Sequence, residues 1–320
     1  MSMPAGISRR ALLHSALAAL TVFGAGLSAN PAHSDQKETK ERILFVSNRE
    51  KPTDFAIYSM NADGSDQTRI SKGEGVNIDP SWSPDHSQIL FTHLADKEAR
   101  KTEICLMKPD GSGIKVIVPG EAQTAFISPV WSPDGKHIAY SALQIGAGFV
   151  STVYVVDADG KNRKKVVDGA VAVWSPDSKR LMYSSIPKED IPELKIVDLD
   201  GANGKTLAPQ GFSPAWSPDG KKIVYTGNSD NRPALFVMDA DGAHSTLLTK
   251  DPDTLAMGPT WTQDGKHILF TRLPKSDEGG PKPEVWIMDA DGANAKALTK
   301  ADSFIGAGVS LVFVMRSEGK

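Results

Sequence analysis

The stretch AWSPDGKKIVYTG, residues 215–227, is one copy of a pattern that recurs along the chain. A tryptophan precedes a Ser-Pro-Asp-Gly turn, and a run of β-branched and aromatic residues follows it. Proline fixes φ at about −65°, aspartate accepts backbone hydrogen bonds and glycine adopts the left-handed conformation, so the stretch predicts two strands joined by a tight turn. The five copies contain the tryptophans Trp82, Trp131, Trp174, Trp216 and Trp261.

A second motif alternates with the first and keeps the same period. It consists of an apolar strand that ends in Asp-x-Asp-Gly or a close variant, and its glycines are Gly64, Gly111, Gly160, Gly201, Gly242 and Gly292. Two motifs in constant order indicate one structural unit of about 45 residues with four antiparallel strands, which is typical of a propeller blade. A single blade cannot bury both of its faces, so the blades are expected to stack around an axis.

The count of strands predicts an all-β, six-bladed β-propeller made of four-stranded antiparallel blades. Five complete units begin near the five tryptophans. The N-terminal part supplies three strands without a first one, at residues 42–48, 55–60 and 67–70, and the C-terminal part has one unmatched run at residues 308–315. We expect these N-terminal strands to pair with the C-terminal strand and close the ring, which removes exposed sheet edges. Seven blades is the alternative.

Composition excludes several classes of function. The chain has 320 residues, 40% of them apolar and 23% charged, as in an ordinary soluble protein, and its net charge of −3 gives no basic surface for nucleic acid. The single cysteine, Cys105, excludes an intramolecular disulfide framework and a cysteine-based zinc site. Its place in a third strand predicts a packing residue. A closed propeller needs no second copy, so a monomer is expected.

The first residues predict export. Arg9 and Arg10 precede an apolar run from Ala11 to Ala29, and small residues follow, which is the layout of a signal peptide. The paired arginines are similar to a twin-arginine signal. We therefore expect residues 1–32 to be a cleavable signal, residues 33–41 a flexible tether and residues 42–320 the propeller. A periplasmic or secreted protein without a membrane span in its mature form is predicted; an uncleaved membrane anchor is the alternative.

The repeated unit, WSPDG followed by an apolar strand and DADG, resembles the TolB-type, WD40-like propeller repeat (PD40) family over residues 42–300. A periplasmic member of that family, TolB, carries a smaller α/β domain ahead of a six-bladed propeller. Only about ten residues separate the predicted signal from the first predicted strand here, so the chain is similar to the propeller half alone. The resemblance implies a six-bladed propeller in the periplasm.

Binding is expected on one face of the ring. The two repeated turns of each blade fall on the same face, whereas the other face carries loops that differ between blades and therefore favours recognition. These loops occupy residues 93–102, 142–151, 185–192, 227–233 and 272–283 within blades and residues 71–79, 118–127 and 249–257 between blades. The candidate contacts for an acidic protein or peptide of the periplasm or envelope are His93, Lys97, Arg100, Arg232 and Arg272.

The sequence favours a protein without catalytic activity. It contains no nucleophile elbow, cofactor motif or cluster of metal ligands. The Asp-x-Asp-Gly repeats lack the further oxygen ligands of a calcium loop and favour hairpin turns. His137 and His267 follow a turn and are predicted to be exposed, and the five tryptophans favour blade packing over a ligand-stacking cage. The alternative function is an enzyme or small-ligand binder of the carbohydrate lyase or lactone hydrolase type that uses the central channel.

Overall fold

A ring of six four-stranded antiparallel sheets makes up the structure, a computed structural model that describes residues 42–146, 150–185, 192–251, 254–274, 283–300 and 305–306. In blades 2 to 6 the first strands of neighbouring blades contact each other, which places them around the axis, and fourth strands form the rim. The predicted all-β, six-bladed propeller is confirmed. Within the described part of the chain, no helix has both the length and the apolar character needed to cross a membrane.

The strands follow the chain in order within each blade. Blade 1 contains β1 (Arg42–Ser47), β2 (Ala56–Asn61) and β3 (Thr68–Arg69); blade 2 contains β4 (Asn77–Trp82), β5 (Ile89–Asp96), β6 (Lys101–Met107) and β7 (Lys115–Val118); blade 3 contains β8 (Thr124–Trp131), β9 (His137–Gln144), β10 (Val150–Asp157) and β11 (Lys164–Asp168). Blade 4 contains β12 (Ala170–Trp174), β13 (Arg180–Ser185), β14 (Glu193–Asp198) and β15 (Lys205–Ala208); blade 5 contains β16 (Gly211–Trp216), β17 (Lys222–Ser229), β18 (Arg232–Asp239) and β19 (Thr246–Leu247); blade 6 contains β20 (Thr254–Trp261), β21 (His267–Pro274), β22 (Glu284–Asp289) and β23 (Lys296–Ala297).

Blade 1 takes its first strand from the C-terminal part of the chain. This strand, β24 (Ile305–Gly306), pairs antiparallel with the end of β1, at Val46 and Ser47. The run predicted to close the ring, residues 308–315, lies outside the described residues, and so do the predicted signal and tether at residues 1–41. The role of that run in closure, and the division of the chain into signal, tether and propeller, stay predictions.

Apolar packing joins each blade to its neighbour. Six apolar clusters in the described part of the chain lie one at each junction between blades. At the junction of blades 6 and 1, Leu269 and Leu298 pack with Phe45. Middle strands are buried on both faces, which explains why they read as nearly continuous apolar runs, such as Ile138–Leu143.

The repeated tryptophans and glycines lie at the same junctions. All five tryptophans belong to the junction clusters, and the indole nitrogen of Trp174 donates a hydrogen bond to the carbonyl of Val130 in the preceding blade at 3.3 Å. The six motif glycines have φ between +77° and +93°. A Cβ on Gly111 would lie well under 3.0 Å from the carbonyl oxygen of Ile70, which directly follows the fourth strand of the preceding blade.

A β-bulge interrupts the first strand of blades 2 to 6, which the sequence analysis did not predict. The residue at the bulge has φ between +49° and +64°, a left-handed conformation that is uncommon for residues other than glycine. The bulge residues are Asp79, Ser128, Val171, Ser213 and Gly258.

Candidate functional site

The two faces of the ring are built from different parts of each blade, as predicted. One face, called the turn face, carries the Ser-Pro-Asp-Gly and Asp-x-Asp-Gly turns, which hydrogen-bond to each other within a blade; the amide of Ala158, for example, donates to the carbonyl of Lys136 at 2.8 Å. The opposite face, called the variable face, carries the remaining connections. There the amide of Gln123 donates to the carbonyl of Ala99, and the amide of Ile145 to the carbonyl of Gln123, both at 2.9 Å.

On the turn face, the carboxylates of the Asp-x-Asp-Gly repeats serve the turns themselves. Asp157 accepts the side-chain amide of Asn162 at 2.6 Å, and Asp159 accepts the backbone N–H of Lys161 at 3.1 Å. The same pair of bonds recurs at Asp198 with Asp200 and at Asp289 with Asp291, and in blade 5 the ring of His244 takes the place of the asparagine beside Asp239. Within the described ranges, no group of three His, Cys, Asp or Glu side chains is placed to hold a metal ion.

Two histidines on the turn face correct a prediction. His137 and His267 were expected to be exposed, but both are half-buried. The ring of His137 stacks on Trp174 of the next blade, with 6.1 Å between ring centroids. Sequence analysis treated the residue after the turn as solvated, whereas the neighbouring blade covers it.

The variable face is uneven because the second strands differ in length. They have at least eight residues in blades 2, 3, 5 and 6, whereas β1 of blade 1 has six. The extra residues lie at the variable-face end, where two residues add about 7 Å. The loop of blade 4 at residues 186–191 lies outside the described residues.

Three of the predicted contact residues lie in blade 2. Lys97 and Arg100 are exposed in the connection between β5 and β6. His93 is half-buried near the end of β5, where its Nδ1 lies 2.9 Å from Oδ1 of Asn77. Burial lowers the pKa of His93 below its ordinary value. Near pH 7 this side chain is therefore a neutral hydrogen-bonding group and not a cation.

The other two predicted contacts lie on the opposite side of the ring, so the five residues do not converge. Arg232 begins β18 and is half-buried, after a two-residue turn whose residues both have positive φ, as in a type I′ hairpin. Arg272 on β21 is held within the chain. Its guanidinium lies 2.6 Å from Oδ2 of Asp251 and 4.1 Å from the ring centroid of Trp286.

Half-buried apolar side chains also reach the variable-face ends of the strands, and sequence analysis did not single them out. Ile145 packs on Leu143 and Ile127 of blade 3. Leu94 lies against a small cluster at the junction of blades 1 and 2, and Leu255 and Leu273 lie against another that contains Phe212 and Met257. A partner on this face would meet apolar surface beside the charges of Lys97 and Arg100.

A buried carboxylate lies in the wall of the channel between blades 2 and 3. Asp79, at the bulge of β4, is 8% exposed, and its Oδ2 accepts the backbone N–H of Ser128, at the bulge of β8, at 2.8 Å. Burial raises the pKa of Asp79 to about 7, although the hydrogen bond from Ser128 opposes that rise. Sequence analysis left Asp79 at the end of a loop. The available signal was a charged residue where other blades have Ser, Val or Gly.

Comparison with known proteins agrees with this architecture. The family model described as TolB beta propeller domain (PD40) matches residues 145–319, and no curated protein matches the chain. The chain is similar to the structure of TolB from Acinetobacter baumannii, with 20% identity and a TM-score of 0.69 over 82% of this chain and 65% of that chain. It thus spans slightly less than two thirds of that TolB chain.

Two further solved structures share the fold. A putative TolB from Agrobacterium tumefaciens is 18% identical, with a TM-score of 0.62 over 82% of this chain and 89% of that chain. An oligogalacturonate lyase in complex with manganese is 13% identical, with a TM-score of 0.56 over 80% of this chain and 73% of that chain. Identities this low show the fold alone. The family match covers more than half of the 320 residues, and the chain therefore belongs to the TolB beta propeller domain family.

Proposed function

We propose that the protein is an exported propeller that binds a protein or peptide partner on its variable face, at the mouth of the channel, without catalysing a reaction. The observation that carries this proposal is the contrast between the two faces. Turn-face polar groups are satisfied within the repeats, whereas the variable face combines strand pairs of unequal length, exposed cations and half-buried apolar side chains. Irregular surface on a rigid scaffold is where recognition usually occurs.

The chemistry of the variable face favours a partner that is partly acidic and partly apolar. Lys97 and Arg100 supply exposed positive charge on one side of the mouth, and Ile145 with its neighbours supplies apolar surface in the next blade. Charged groups at the rim of an interface mainly increase the rate of association, while apolar groups at its centre supply most of the affinity.

A capture experiment with matched charge reversals tests the binding face. The protein is immobilised and exposed to a periplasmic extract, as wild type, as Lys97→Glu with Arg100→Glu, and as Lys136→Glu with Lys161→Glu. The last pair reverses two exposed lysines on the turn face. We expect one species to bind the wild type and the turn-face variant and to be lost from the variable-face variant. Equal loss from both variants, or capture of nothing by any of them, counts against the proposal.

Export is part of the proposal and has its own test. Residues 1–32 carry Arg9 and Arg10 ahead of the apolar run, as in a twin-arginine signal. Replacing both arginines by lysine is expected to stop export by the twin-arginine route, and the mass of the exported protein reports the cleavage site. Unchanged export of the variant would show that the general route is used, and retention of residues 1–32 would show a membrane anchor.

A further inference from the structure

Asp79 accepts a backbone hydrogen bond that a neutral hydroxyl accepts at two other junctions between blades. In blade 4, the amide at the bulge, Val171, donates to the hydroxyl of Ser141, in the second strand of the preceding blade, at 3.0 Å. In blade 6, the amide of Gly258 donates to the hydroxyl of Thr226 in the same way, also at 3.0 Å. These buried hydroxyls satisfy the bulge without placing a charge in the wall of the channel.

The junction of blades 2 and 3 departs from this pattern. Thr92 is the residue of β5 that corresponds to Ser141 and Thr226, and it is fully buried. Its hydroxyl has no hydrogen-bond partner among the described residues, and the same is true of the corresponding hydroxyls of Ser184 and Thr271; the bulge amide of Ser128 donates to Asp79. The hydroxyl of Ser128 is likewise buried and without a partner in the described part of the chain. At this junction a carboxylate thus takes the place of a neutral acceptor, and burial of a charged group is costly.

The carboxylate also lacks a compensating charge. The strands that contact β4 are β1, β2, β5 and β8. Their titratable side chains are Arg42, Tyr58, His93 and Asp96, and β8 has none. None of these groups affects the pKa of Asp79, which responds only to burial and to the Ser128 amide. Among the described residues, the second carboxylate oxygen, Oδ1, has no hydrogen-bond partner. A buried carboxylate that no charge pairs, in a role that a neutral hydroxyl performs at two other junctions, is a candidate site for a ligand.

We infer that Asp79 is a receptor for one cationic group, an ammonium or guanidinium of the partner's side chain, in the channel wall between blades 2 and 3. This assignment rests on the proposed partner binding and adds the chemistry of the group that enters the channel. The entering group donates hydrogen bonds to Asp79 Oδ1. A cation is favoured over a neutral group because it also stabilises the ionised carboxylate, whereas an anion would repel it.

Recognition of a cation at this site is coupled to release of a proton. The free site holds a proton on Asp79 in part of the molecules near pH 7, and the bound cation stabilises the ionised form. Binding therefore converts the carboxylic acid and the cation into an ion pair and releases one proton to solvent. Affinity for the cation is expected to rise with pH through the titration of Asp79 and to level off above it.

The test needs no partner, so its result does not depend on the success of the capture experiment. Full-length protein with ¹³Cγ-labelled aspartate is titrated with acid and base, and the Asp79 resonance is identified by its loss in Asp79→Ser, the residue found at the bulges of blades 3 and 5. The probes are n-butylammonium, ethylguanidinium, the uncharged analogue n-butanol, and calcium chloride. We expect either organic cation to lower the titration midpoint of Asp79 in a saturable way and n-butanol to leave it unchanged.

Two results would overturn the assignment. One is a midpoint that none of the probes shifts, and the other is a midpoint that calcium shifts while both organic cations do not. Where the capture experiment has yielded a partner, Asp79→Ser is expected to weaken its binding roughly tenfold or more, as for loss of a hydrogen bond to a charged group. Unchanged affinity of that variant for the partner would contradict the role of Asp79 and would still be consistent with partner binding on the variable face.

Discussion

At the scale of single residues, Gly111 shows why the repeated glycines are needed. Its φ is +77°, and any side chain would collide with the carbonyl of Ile70 in the neighbouring blade. Gly73 has a similar φ of +81°, but nothing lies within 4 Å of the position of its Cβ. The two residues thus separate the cost of the backbone conformation from the cost of a collision between blades.

Substitution of these two glycines by alanine is predicted to differ in effect. Gly111→Ala adds steric displacement to backbone strain and is expected to lower the free energy of unfolding by roughly 2–5 kcal/mol. Gly73→Ala adds strain alone and should cost about 1 kcal/mol. Urea denaturation followed by tryptophan fluorescence measures both. Equal losses in the two variants would show that the close contact between blades does not limit the choice of residue.

A second prediction at this scale concerns the pH dependence that Asp79 imposes on stability. Its pKa is raised from 3.8 to about 7 in the folded protein, so the folded state binds more protons than the unfolded state between these values. The contribution of protonated Asp79 to the free energy of unfolding is therefore fully present below pH 4 and is lost as pH rises to 7. The total loss is on the order of 4 kcal/mol, because one unit of pKa corresponds to about 1.4 kcal/mol.

The measurement is the difference in unfolding free energy between wild type and Asp79→Ser at several pH values. We expect the unfolding free energy of the variant to increase relative to that of the wild type as pH rises from 4 to 8. Asp219→Ser is the control, because a hydrogen bond from the Ser217 hydroxyl lowers the pKa of Asp219, so its contribution to stability changes only below about pH 4 and stays nearly constant from pH 4 to 8. If the difference in unfolding free energy between wild type and Asp79→Ser stayed constant over this range, burial would not raise the pKa of Asp79.

At the scale of the element, the first turn of each blade is held by a hydroxyl that bridges its two ends. In blade 6, Thr262 donates to Oδ1 of Asp264 at 2.7 Å and accepts the backbone N–H of His267 at 3.0 Å. Serine performs both roles in the other blades that carry this turn, for example Ser132 with Asp134 and His137.

Replacement of Thr262 by valine is predicted to destabilise the protein, whereas replacement by serine is not. Thr262→Val keeps the shape and removes the hydroxyl, so a backbone N–H loses its acceptor at a cost of about 1–3 kcal/mol. Thr262→Ser retains the hydroxyl and should stay within about 0.5 kcal/mol of wild type. Thermal unfolding of the two variants provides the comparison. If the serine variant lost stability and the valine variant did not, the methyl group of the threonine and not its hydroxyl would be the stabilising part.

The turns could be predicted from the sequence, whereas the bulges could not. Proline, aspartate and glycine each impose a local conformation, so Ser-Pro-Asp-Gly indicates a turn wherever it occurs. In blades 3, 4 and 6 the amide at the bulge donates to a hydroxyl or carboxylate of the preceding blade, so the bulge depends on a contact between blades. Residues as different as Val171 and Asp79 adopt it. Asp79 was missed for that reason, since its role arises from a contact between blades that no local pattern contains.

At the scale of the whole molecule, the number of blades was predictable because the repeat period counts them. The shape of the variable face was not, because its loops do not repeat and the length of each strand pair is set blade by blade. Closure of the ring also requires that blades 6 and 1 pack against each other, which sequence spacing alone does not establish. The junction of blades 6 and 1 buries Leu298 to the same degree as an internal junction buries Leu248, at 8% and 7% exposure.

Leu298 and Leu248 provide a matched test of closure, because each follows the short fourth strand of its blade and lies against the motif glycine of the next blade, Gly64 and Gly292. Alanine at either position should cost about 2–5 kcal/mol, as expected for a buried leucine. In a closed ring both variants unfold in one cooperative transition with similar losses. In a ring open at the junction of blades 6 and 1, Leu298→Ala would cost little or would separate the unfolding of the terminal blades into an earlier transition. Calorimetry distinguishes these outcomes, and a single transition lowered equally in both variants is expected because apolar packing joins blade 6 to blade 1 as it joins the other blades.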